Sequence, residues 1–332
     1  MKGFGDALTI DDAIARSAEF LRERLRSGKY SIASLGSDGA ATFSDGKGHL
    51  FVVSFLAEAM AGLIDEIDRT IILVRIMSEE IDGSWGFSPP GARHRAESLV
   101  YHVDSDDTAY VLRTLRRLGV NRPPDALGRY YREPERLFVT FDCAAHPRLT
   151  TAASPSANFD AHLDVNANIY LALRGTHFDG WINFDMLRDA QDEAGYWASF
   201  FYPSRLFATT LVLDVVRDEP SFADAIARAV DYVLRTQNAD GSWGTASDSY
   251  ETALAVTILA GRPQCAEAMQ RGVAYLLSAM APDGSWASSA RIWEFSFSED
   301  DVHTATDVHR AYVSARCLTA LRRAAGQLTA FP

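Results

Sequence analysis

The chain has 332 residues, of which 47% are hydrophobic and 11% aromatic, enough for one large or two ordinary globular domains. Its formal net charge of −12 and the lack of a basic run argue against a nucleic-acid surface, which needs cations to neutralise phosphates. Three widely spaced cysteines without a CxxC pair fit a reducing compartment and support neither disulfides nor a cysteine-rich metal site: Cys143, Cys265 and Cys317. The N-terminus lacks an apolar leader, and no apolar run approaches the roughly 18 residues that cross a bilayer, so we expect a cytoplasmic protein.

Helical spacing of apolar residues recurs along the whole chain, whereas no alternating run of strand length competes with it. The predicted helices cover residues 10–25, 49–64, 68–77, 107–118, 164–173, 204–216, 222–237, 249–261, 265–280 and 306–324. Proline-rich phrases between residues 121 and 155 interrupt any long helix there, so we expect a short helix flanked by loops. The pattern predicts an all-α chain.

A short phrase returns between the helices. "DGSW" occupies residues 82–85, 240–243 and 283–286, and a degenerate "DGAATF" occupies residues 38–43. Its copies begin 44 residues apart (38 and 82) and 43 residues apart (240 and 283), which is the length of a helix pair with its turn. We expect Trp85, Trp243 and Trp286 to anchor these turns, and Gln237 to bind the backbone near Trp243. The fold is therefore built from helical hairpins.

An acidic cluster, "DSDDTA" at residues 104–109, stands at the start of a predicted helix. One interpretation is local: Asp107 caps the helix, while Asp104 and Asp106 lie in water near its positive end. The other is catalytic, because a carboxyl group that burial and neighbouring negative charge keep protonated at neutral pH can act as an acid. The cluster by itself leaves both open.

Two motifs together resemble a known family. "QNADGSWG" is similar to the QW repeat of squalene–hopene and oxidosqualene cyclases and class II diterpene cyclases, and "DSDDTA" is similar to their DxDD motif. The resemblance covers most of the chain and implies an (α/α)6 barrel like the family's β domain. We expect residues 1–332 to form this single barrel, without the γ domain that usually closes the active site and without an α domain.

The resemblance also implies an activity and its central residues. A class II terpene cyclase protonates a linear isoprenoid, such as farnesyl or geranylgeranyl diphosphate or a related polyprene or meroterpenoid, and closes rings through cations. By similarity Asp106 is the general acid, and Asp104 and Asp107 hold its geometry and charge state. Asn168 stands where the family places a polar partner of the acid; an amide can hold the acid but cannot act as a base.

Aromatic rings are expected to line the pocket, because their faces stabilise cations. The family places such rings in a stretch matching residues 192–207, with Phe201 at a cation-stabilising position, and Phe87 follows a matching G-x-W-x-F segment. The candidate substrate-binding rings are Phe87, Trp197, Phe200, Phe201 and Tyr202. Core packing is the alternative for each ring.

A diphosphate would need cations, supplied either by side chains or by Mg²⁺. Arg93, beside His94 and Arg95, and Arg205 are the candidate side chains, with solvated surface as the alternative. The acidic segment 297–307 could bind Mg²⁺, but a loop that caps the last helix accounts for it equally well, so we assign no metal site. The acid chemistry itself requires no cofactor. The chain has no DDxxD motif, which disfavours ionisation-initiated chemistry.

Two other functions are compatible with a helical barrel. A non-catalytic barrel would bind an isoprenoid or a partner protein, although it would have no chemical reason to keep an intact DxDD. A protein prenyltransferase β subunit would need an Asp-x-Cys pair and a distant histidine for zinc, whereas Asp142 and Cys143 are adjacent here. Because water quenches carbocations, an active barrel must cover its mouth, and we expect its own loops or a second copy, in a homodimer, to do so.

Overall fold

The computed structural model describes residues 8–35, 41–42, 49–87, 103–142, 161–287, 292–298 and 301–328. The α-helices in these residues are α1 Ile10–Ser27, α2 Leu50–Ala59, α3 Glu66–Ser78, α4 Ser105–Arg117, α5 Leu163–Leu173, α6 Phe184–Asp189, α7 Arg205–Val215, α8 Ala223–Arg235, α9 Ser249–Leu259, α10 Ala266–Ala279 and α11 Ala311–Ala324. Short 3₁₀ helices span Pro124–Tyr130, Asp179–Trp181, Pro220–Phe222 and Pro263–Cys265.

Six of the helices close into a ring. Each of α2, α4, α5, α7 and α9 packs against the next, and α11 packs against both α9 and α2. The outer helices α1, α3, α8 and α10 pack around this ring, and the 3₁₀ helix Pro124–Tyr130 packs against α4 and α5. The predicted (α/α)6 barrel is confirmed.

Sequence composition separates the two layers. The inner helices are apolar on nearly all sides: in α9 every residue except Glu251 is buried, and in α5 every residue except Leu163. The outer helix α8 is amphipathic and buries one stripe, ending in Tyr232 and Val233. A helix that is hydrophobic all round has to be enclosed by others, so this contrast places the inner ring. None of the described helices is long and apolar enough to cross a membrane.

Four tryptophan turns join outer helices to inner ones. In each, the indole donates to a carbonyl of the preceding outer helix at 2.7–2.8 Å, and the tryptophan backbone N–H donates to a hydroxyl on the following inner helix at 2.9–3.0 Å. The four rings are 0–1% exposed: Trp85, Trp197, Trp243 and Trp286. Three of them are the predicted anchors. Trp197, predicted for the pocket, is instead sealed in the fourth turn between Leu187 and Thr209.

A glutamine six residues before the tryptophan ties two of these turns to the next helix. Gln237 Nε2 donates to the Gly241 and Ala268 carbonyls at 2.9 Å each, as the sequence predicted for its own turn. Gln191 does the same with Gly195 and Ala225, at 2.9 and 2.8 Å. "QDEAGYW" (191–197) is thus another copy of the repeat, which the sequence analysis treated only as an aromatic stretch.

Six short strands also occur, contrary to the all-helical expectation. They are β1 Ala33–Leu35, β2 Ala41–Thr42, β3 Tyr131–Arg132, β4 Leu137–Phe138, β5 Glu294–Ser298 and β6 Asp301–Thr306. β3 and β4 form a hairpin, and the other four form an antiparallel sheet in the order β2-β1-β6-β5, with Ala33 opposite Thr306. The acidic segment before α11 is therefore mainly a strand, and Asp307 caps the helix by accepting from the Ala311 and Val313 N–H groups at 3.1 and 2.7 Å.

Candidate active site

Asp104 is the N-cap of α4. Its carboxylate accepts from the Asp107 N–H at 2.7 Å, and its own N–H donates to the Trp85 carbonyl at 2.9 Å. The Thr108 hydroxyl accepts from the Trp85 N–H at 3.0 Å. The capping role thus belongs to Asp104 and not to Asp107, and the acidic cluster is fastened directly to a tryptophan turn.

The same local structure recurs at the start of α9, where the sequence reads "DSYETA" (248–253) against "DSDDTA" (104–109). Asp248 caps α9 by accepting from the Tyr250 N–H at 2.8 Å, and the Thr252 hydroxyl accepts from the Trp243 N–H at 3.0 Å. The outer residues of the motif therefore belong to the repeat's scaffold. The third position differs: it holds Tyr250 in α9 and Asp106 in α4.

Asp106 is held by a neighbouring inner helix. Asn168 of α5 donates from Nδ2 to Asp106 Oδ1 at 2.8 Å and to its backbone carbonyl at 2.9 Å. The Asn168 carbonyl oxygen accepts in turn from Arg113 Nη1 at 2.5 Å. Asp104 and Asp107 are only 4% and 6% exposed, whereas Asp106 keeps accessible surface. The three predicted aspartates and Asn168 therefore lie together, with Asp106 the least sealed of the carboxyl groups.

The cluster holds protons at neutral pH. Burial raises the pKa of Asp106 well above its usual range, and the negative charges of Asp104 and Asp164 raise it further, against the hydrogen bond from Asn168 and the charge of Arg113. Burial likewise raises the pKa of Asp104 to about 6 and, with the charge of Asp104, that of Asp107 well above its usual range. Carboxyl groups this close do not all ionise readily, and the raised pKa of Asp106 favours its protonated form.

Asp164 is a further acidic neighbour that the sequence analysis missed. It lies one helical turn before Asn168 on α5 and is 2% exposed. Its Oδ2 accepts from the Ser199 hydroxyl and from the Phe201 N–H, the latter at 3.3 Å. Two polar residues at i and i+4 on a largely apolar helix, with Asn166 between them, were the available signal. Asp164 thus fixes the aromatic loop beside the acid.

The predicted rings fall in different places. Tyr202 is buried inside the barrel and stacks on Phe207, with ring centroids 3.5 Å apart. Phe200 and Phe201 pack on His162, with centroid separations of 3.8 and 5.2 Å, and Phe200 is 47% exposed. Phe87 stacks on His49 at 4.2 Å. Of these four rings, Tyr202 is the one that faces the inner ring of helices.

The inner helices contribute most of the interior rings, which the sequence analysis did not single out. Tyr110 lies one turn after Asp106, and its ring contacts Phe51 and Phe55 at centroid distances of 5.4 and 5.0 Å. Tyr312 contacts the same two phenylalanines at 5.4 and 5.0 Å. The interior beside the acid is thus lined by electron-rich faces from several helices: Phe51, Phe55, Tyr110, Tyr202, Phe207, Tyr250 and Tyr312.

Charged side chains pair with one another at the end of the barrel opposite Asp106. Arg323 pairs with Asp214 at 2.9 Å and with Glu58 at 3.6 Å, and Arg117 pairs with Glu58 at 3.4 Å. Arg316 of α11 lies 5.0 Å from the centre of the Phe55 ring. The paired residues occupy the last turns of α2, α4, α7 and α11, whereas Asp106 lies in the first turn of α4.

Of the predicted cationic residues, the structure describes Arg205 alone. Arg205 is exposed and turns outward, with its guanidinium 5.1 Å from the Tyr196 ring and hydrogen-bonded to Tyr232 of α8. Arg93, Cys143, Glu299 and Asp300 lie outside the described residues, whereas Cys265 and Cys317 are buried free thiols. Within the described ranges, no group of three or more histidine, cysteine, aspartate or glutamate side chains could hold a metal ion.

Known proteins match this chain in sequence and in fold. The family model of the squalene–hopene cyclase C-terminal domain matches residues 174–293. The drimenyl diphosphate synthase of Streptomyces showdoensis is 29% identical over 235 residues, 66% of this chain and 40% of its own length. The ent-copalyl diphosphate synthase of Streptomyces sp. (strain KO-3988) is 30% identical over 151 residues, 43% of this chain and 27% of its own length. The chain thus spans less than half the length of these curated relatives.

Solved structures extend the fold match to nearly the whole chain. A variant of the type II terpene cyclase MstE from Scytonema, in complex with geranylgeranyl dihydroxybenzoate (substrate), has a TM-score of 0.75 at 19% identity, covering 96% of this chain and 98% of that one. The ent-copalyl diphosphate synthase from Streptomyces platensis has a TM-score of 0.61 at 24% identity, covering 83% of this chain and 50% of that one. In sequence the chain is thus similar to the squalene–hopene cyclase C-terminal domain and to bacterial diterpene and drimenyl diphosphate synthases, and in fold it is similar to type II terpene cyclases.

Proposed function

We propose that this protein is a class II terpene cyclase whose general acid is Asp106. The observation that carries the proposal is a carboxyl group with a strongly raised pKa, hydrogen-bonded by Asn168 and placed beside an interior of aromatic rings. An isolated terminal alkene is a weak base, so its protonation requires a neutral carboxylic acid in a site from which water is excluded.

The reaction is an isomerisation. The alkene's electron pair takes the proton of Asp106, which leaves a carboxylate on the enzyme and a tertiary cation on the substrate. The next alkene attacks that cation, and each attack forms one carbon–carbon bond. Water or another base then takes a proton from carbon to end the sequence, and Asp106 regains a proton from water or another group. The Asn168 N–H stabilises the carboxylate formed in the first step, and the rings of Tyr110, Tyr202 and Phe51 stabilise the cations.

The substrate we propose is a linear prenyl diphosphate of the farnesyl or geranylgeranyl type. Support comes from the relatives, which are named as drimenyl, ent-copalyl and labda-7,13-dienyl diphosphate synthases. A prenylated aromatic acid is the second candidate, because MstE is described with geranylgeranyl dihydroxybenzoate as its substrate. Neither substrate changes the acid step, which requires no cofactor; Mg²⁺ would concern only the diphosphate.

We further propose that the single barrel is the catalytic unit and that a second copy covers its mouth. The support is chemical: cations formed beside Asp106 must be kept from water, and Asp106 lies in the first turn of an inner helix. Analytical ultracentrifugation at assay concentrations tests the homodimer. A monomer that still forms cyclic isomers of unchanged mass without hydroxylated by-products would contradict it.

The decisive experiment compares the wild type with Asp106→Asn. Each is incubated with farnesyl and geranylgeranyl diphosphate, and with geranylgeranyl dihydroxybenzoate; the diphosphates are then dephosphorylated, and products are separated with mass detection. Asp248→Asn, which alters the α9 counterpart of the N-cap Asp104, controls for loss of a buried carboxylate. A cyclic isomer of unchanged mass, formed by the wild type and the control but not by Asp106→Asn, is the expected result. Product formation by Asp106→Asn would reject Asp106 as the acid, and no product from any of these substrates would favour a binding barrel.

A further inference from the structure

Arg113, Asn168 and Asp106 form a continuous chain of hydrogen bonds. Arg113 and Asp106 are seven residues apart on α4, which is two helical turns, and Asn168 of α5 lies between them. The distances are 2.5 Å from Arg113 Nη1 to Asn168 Oδ1 and 2.8 Å from Asn168 Nδ2 to Asp106 Oδ1. Arg113 is 5% exposed and Asn168 is 0% exposed, so the chain is shielded from bulk water.

The arginine fixes which way the amide points. A guanidinium has donors and no acceptor, so the group of Asn168 that faces Arg113 must be its carbonyl oxygen. The Asn168 NH₂ then faces Asp106, where it reaches both the carboxyl oxygen and the backbone carbonyl. A flipped amide would set two donors against each other at Arg113 and would offer Asp106 an acceptor.

We propose that Arg113 is a positioning residue that orients Asn168 so that the proton of Asp106 is carried on Oδ2 and is free for transfer. Because the amide donates to Oδ1, that oxygen acts only as an acceptor. Among the described residues, Asn168 provides the one side-chain hydrogen bond to this carboxyl. This inference rests on the proposed cyclase function, but the orientation of the amide can be measured without it.

A flipped Asn168 would hold the proton instead of releasing it. Its carbonyl would accept from the Asp106 O–H, so the proton would point to the protein and the protonated form would be stabilised. The other charged or titratable groups near Asp106 are Asp104 on α4, Asp164 on α5, and the phenols of Tyr110 and Tyr202. None of these donates to Asn168 in the described structure, so Arg113 is the side chain that holds the Asn168 carbonyl oxygen, while the Asp106 backbone carbonyl accepts from its NH₂.

The test replaces Arg113 by methionine, with Arg116→Met as the matched control. Arg116 also links α4 to α5, donating to the Ala172 and Arg174 carbonyls at 2.5 and 3.2 Å, but it does not contact Asn168. We expect Arg113→Met to lower kcat about 100-fold with little change in KM, and Arg116→Met to lower it less than about 3-fold at a similar loss of melting temperature. Arg113→Lys, which still only donates, should recover part of the loss. Equal kcat losses in the two methionine variants would overturn the proposal.

Two further measurements separate this inference from the proposed function. If Arg113 acts through the amide, adding Arg113→Met to Asn168→Leu should change kcat less than about 2-fold; a further loss as large as in the wild type would overturn the proposal. Infrared difference spectra against Asp106→Asn follow protonation of this carboxyl without any substrate. The Asp106 titration should move to higher pH in Arg113→Met, because the amide becomes an acceptor and a positive charge is lost, and an unchanged titration would overturn the proposal even in a protein without cyclase activity.

Discussion

Thr108 and Thr252 hold the same position in two copies of one local structure, only one of which carries the acid. Each hydroxyl accepts from a tryptophan N–H at 3.0 Å and donates to the backbone carbonyl four residues earlier, at 2.5 Å for Thr108 and 2.7 Å for Thr252. Both side chains are 0% exposed. Replacing either by valine keeps the shape but leaves a buried N–H without its partner, at a cost of about 1–3 kcal/mol. The two variants should therefore lose stability equally, within about 1 kcal/mol.

Their effects on catalysis should differ. Thr108→Val loosens the turn that fixes the first residues of α4, so Asp106 moves relative to Asn168 and kcat should fall about 10-fold or more. Thr252→Val disturbs the equivalent turn at α9 and should leave kcat within about 2-fold of the wild type. Thermal unfolding measures the first quantity, and product formation from the accepted isoprenoid measures the second. Equal kcat losses in the two variants would refute the view that this turn positions the acid specifically.

Three further outcomes follow from the site. Because catalysis needs protonated Asp106, whose pKa is well above its usual range, kcat/KM should be level through neutral pH and fall only as alkaline pH ionises the acid; a fall near pH 4 would contradict this. Burial raises the pKa of Glu251 to about 7, so its contribution to stability is fully present below about pH 4.5 and is lost as pH rises through 7. Glu251→Gln should therefore raise the free energy of unfolding at pH 8 by at most about 3 kcal/mol, seen as a higher melting temperature, but should not raise it at pH 4.5. Trp197→Phe should lower the melting temperature and keep the product pattern, whereas Tyr202→Leu should change the product pattern; the reverse would place Trp197 at the pocket.

The sequence indicated the barrel and the position of the acidic cluster because both leave short, local signals. Helical spacing and the "DGSW" phrases are read within one hairpin, and "DSDDTA" is contiguous. Each predicted helix lies within a few residues of an observed one except the last, which begins at Ala311 because β6 occupies residues 301–306. The sheet was missed because strands of two to six residues, paired between opposite ends of the chain, leave no periodic pattern.

The pocket was harder to predict than the acid. The aromatic residues in 192–207 belong to two structures, a tryptophan turn anchored by Trp197 and the loop that follows it. Composition does not distinguish the two. The spacing of Gln191 to Trp197, equal to that of Gln237 to Trp243, would have identified the anchor. Asp164 and Asn168 of α5 act on Asp106 across a helix contact, and Arg113 acts on it through Asn168; this contact is set by the closed ring rather than by neighbours in sequence.

The ring of inner helices is closed by contacts between the two ends of the described chain. This closure affects how the protein folds during its synthesis. β6 pairs with β1, and Arg322 of α11 donates to the Ala59 carbonyl at the end of α2 at 2.6 Å, across 263 positions of sequence. A nascent chain on the ribosome therefore holds α2 and α9 with one apolar side uncovered until α11 emerges. Such a barrel has no smaller closed form, so deletion of α11 should yield an aggregating chain rather than a shortened enzyme, and synthesis should depend on chaperones that shield the open ring.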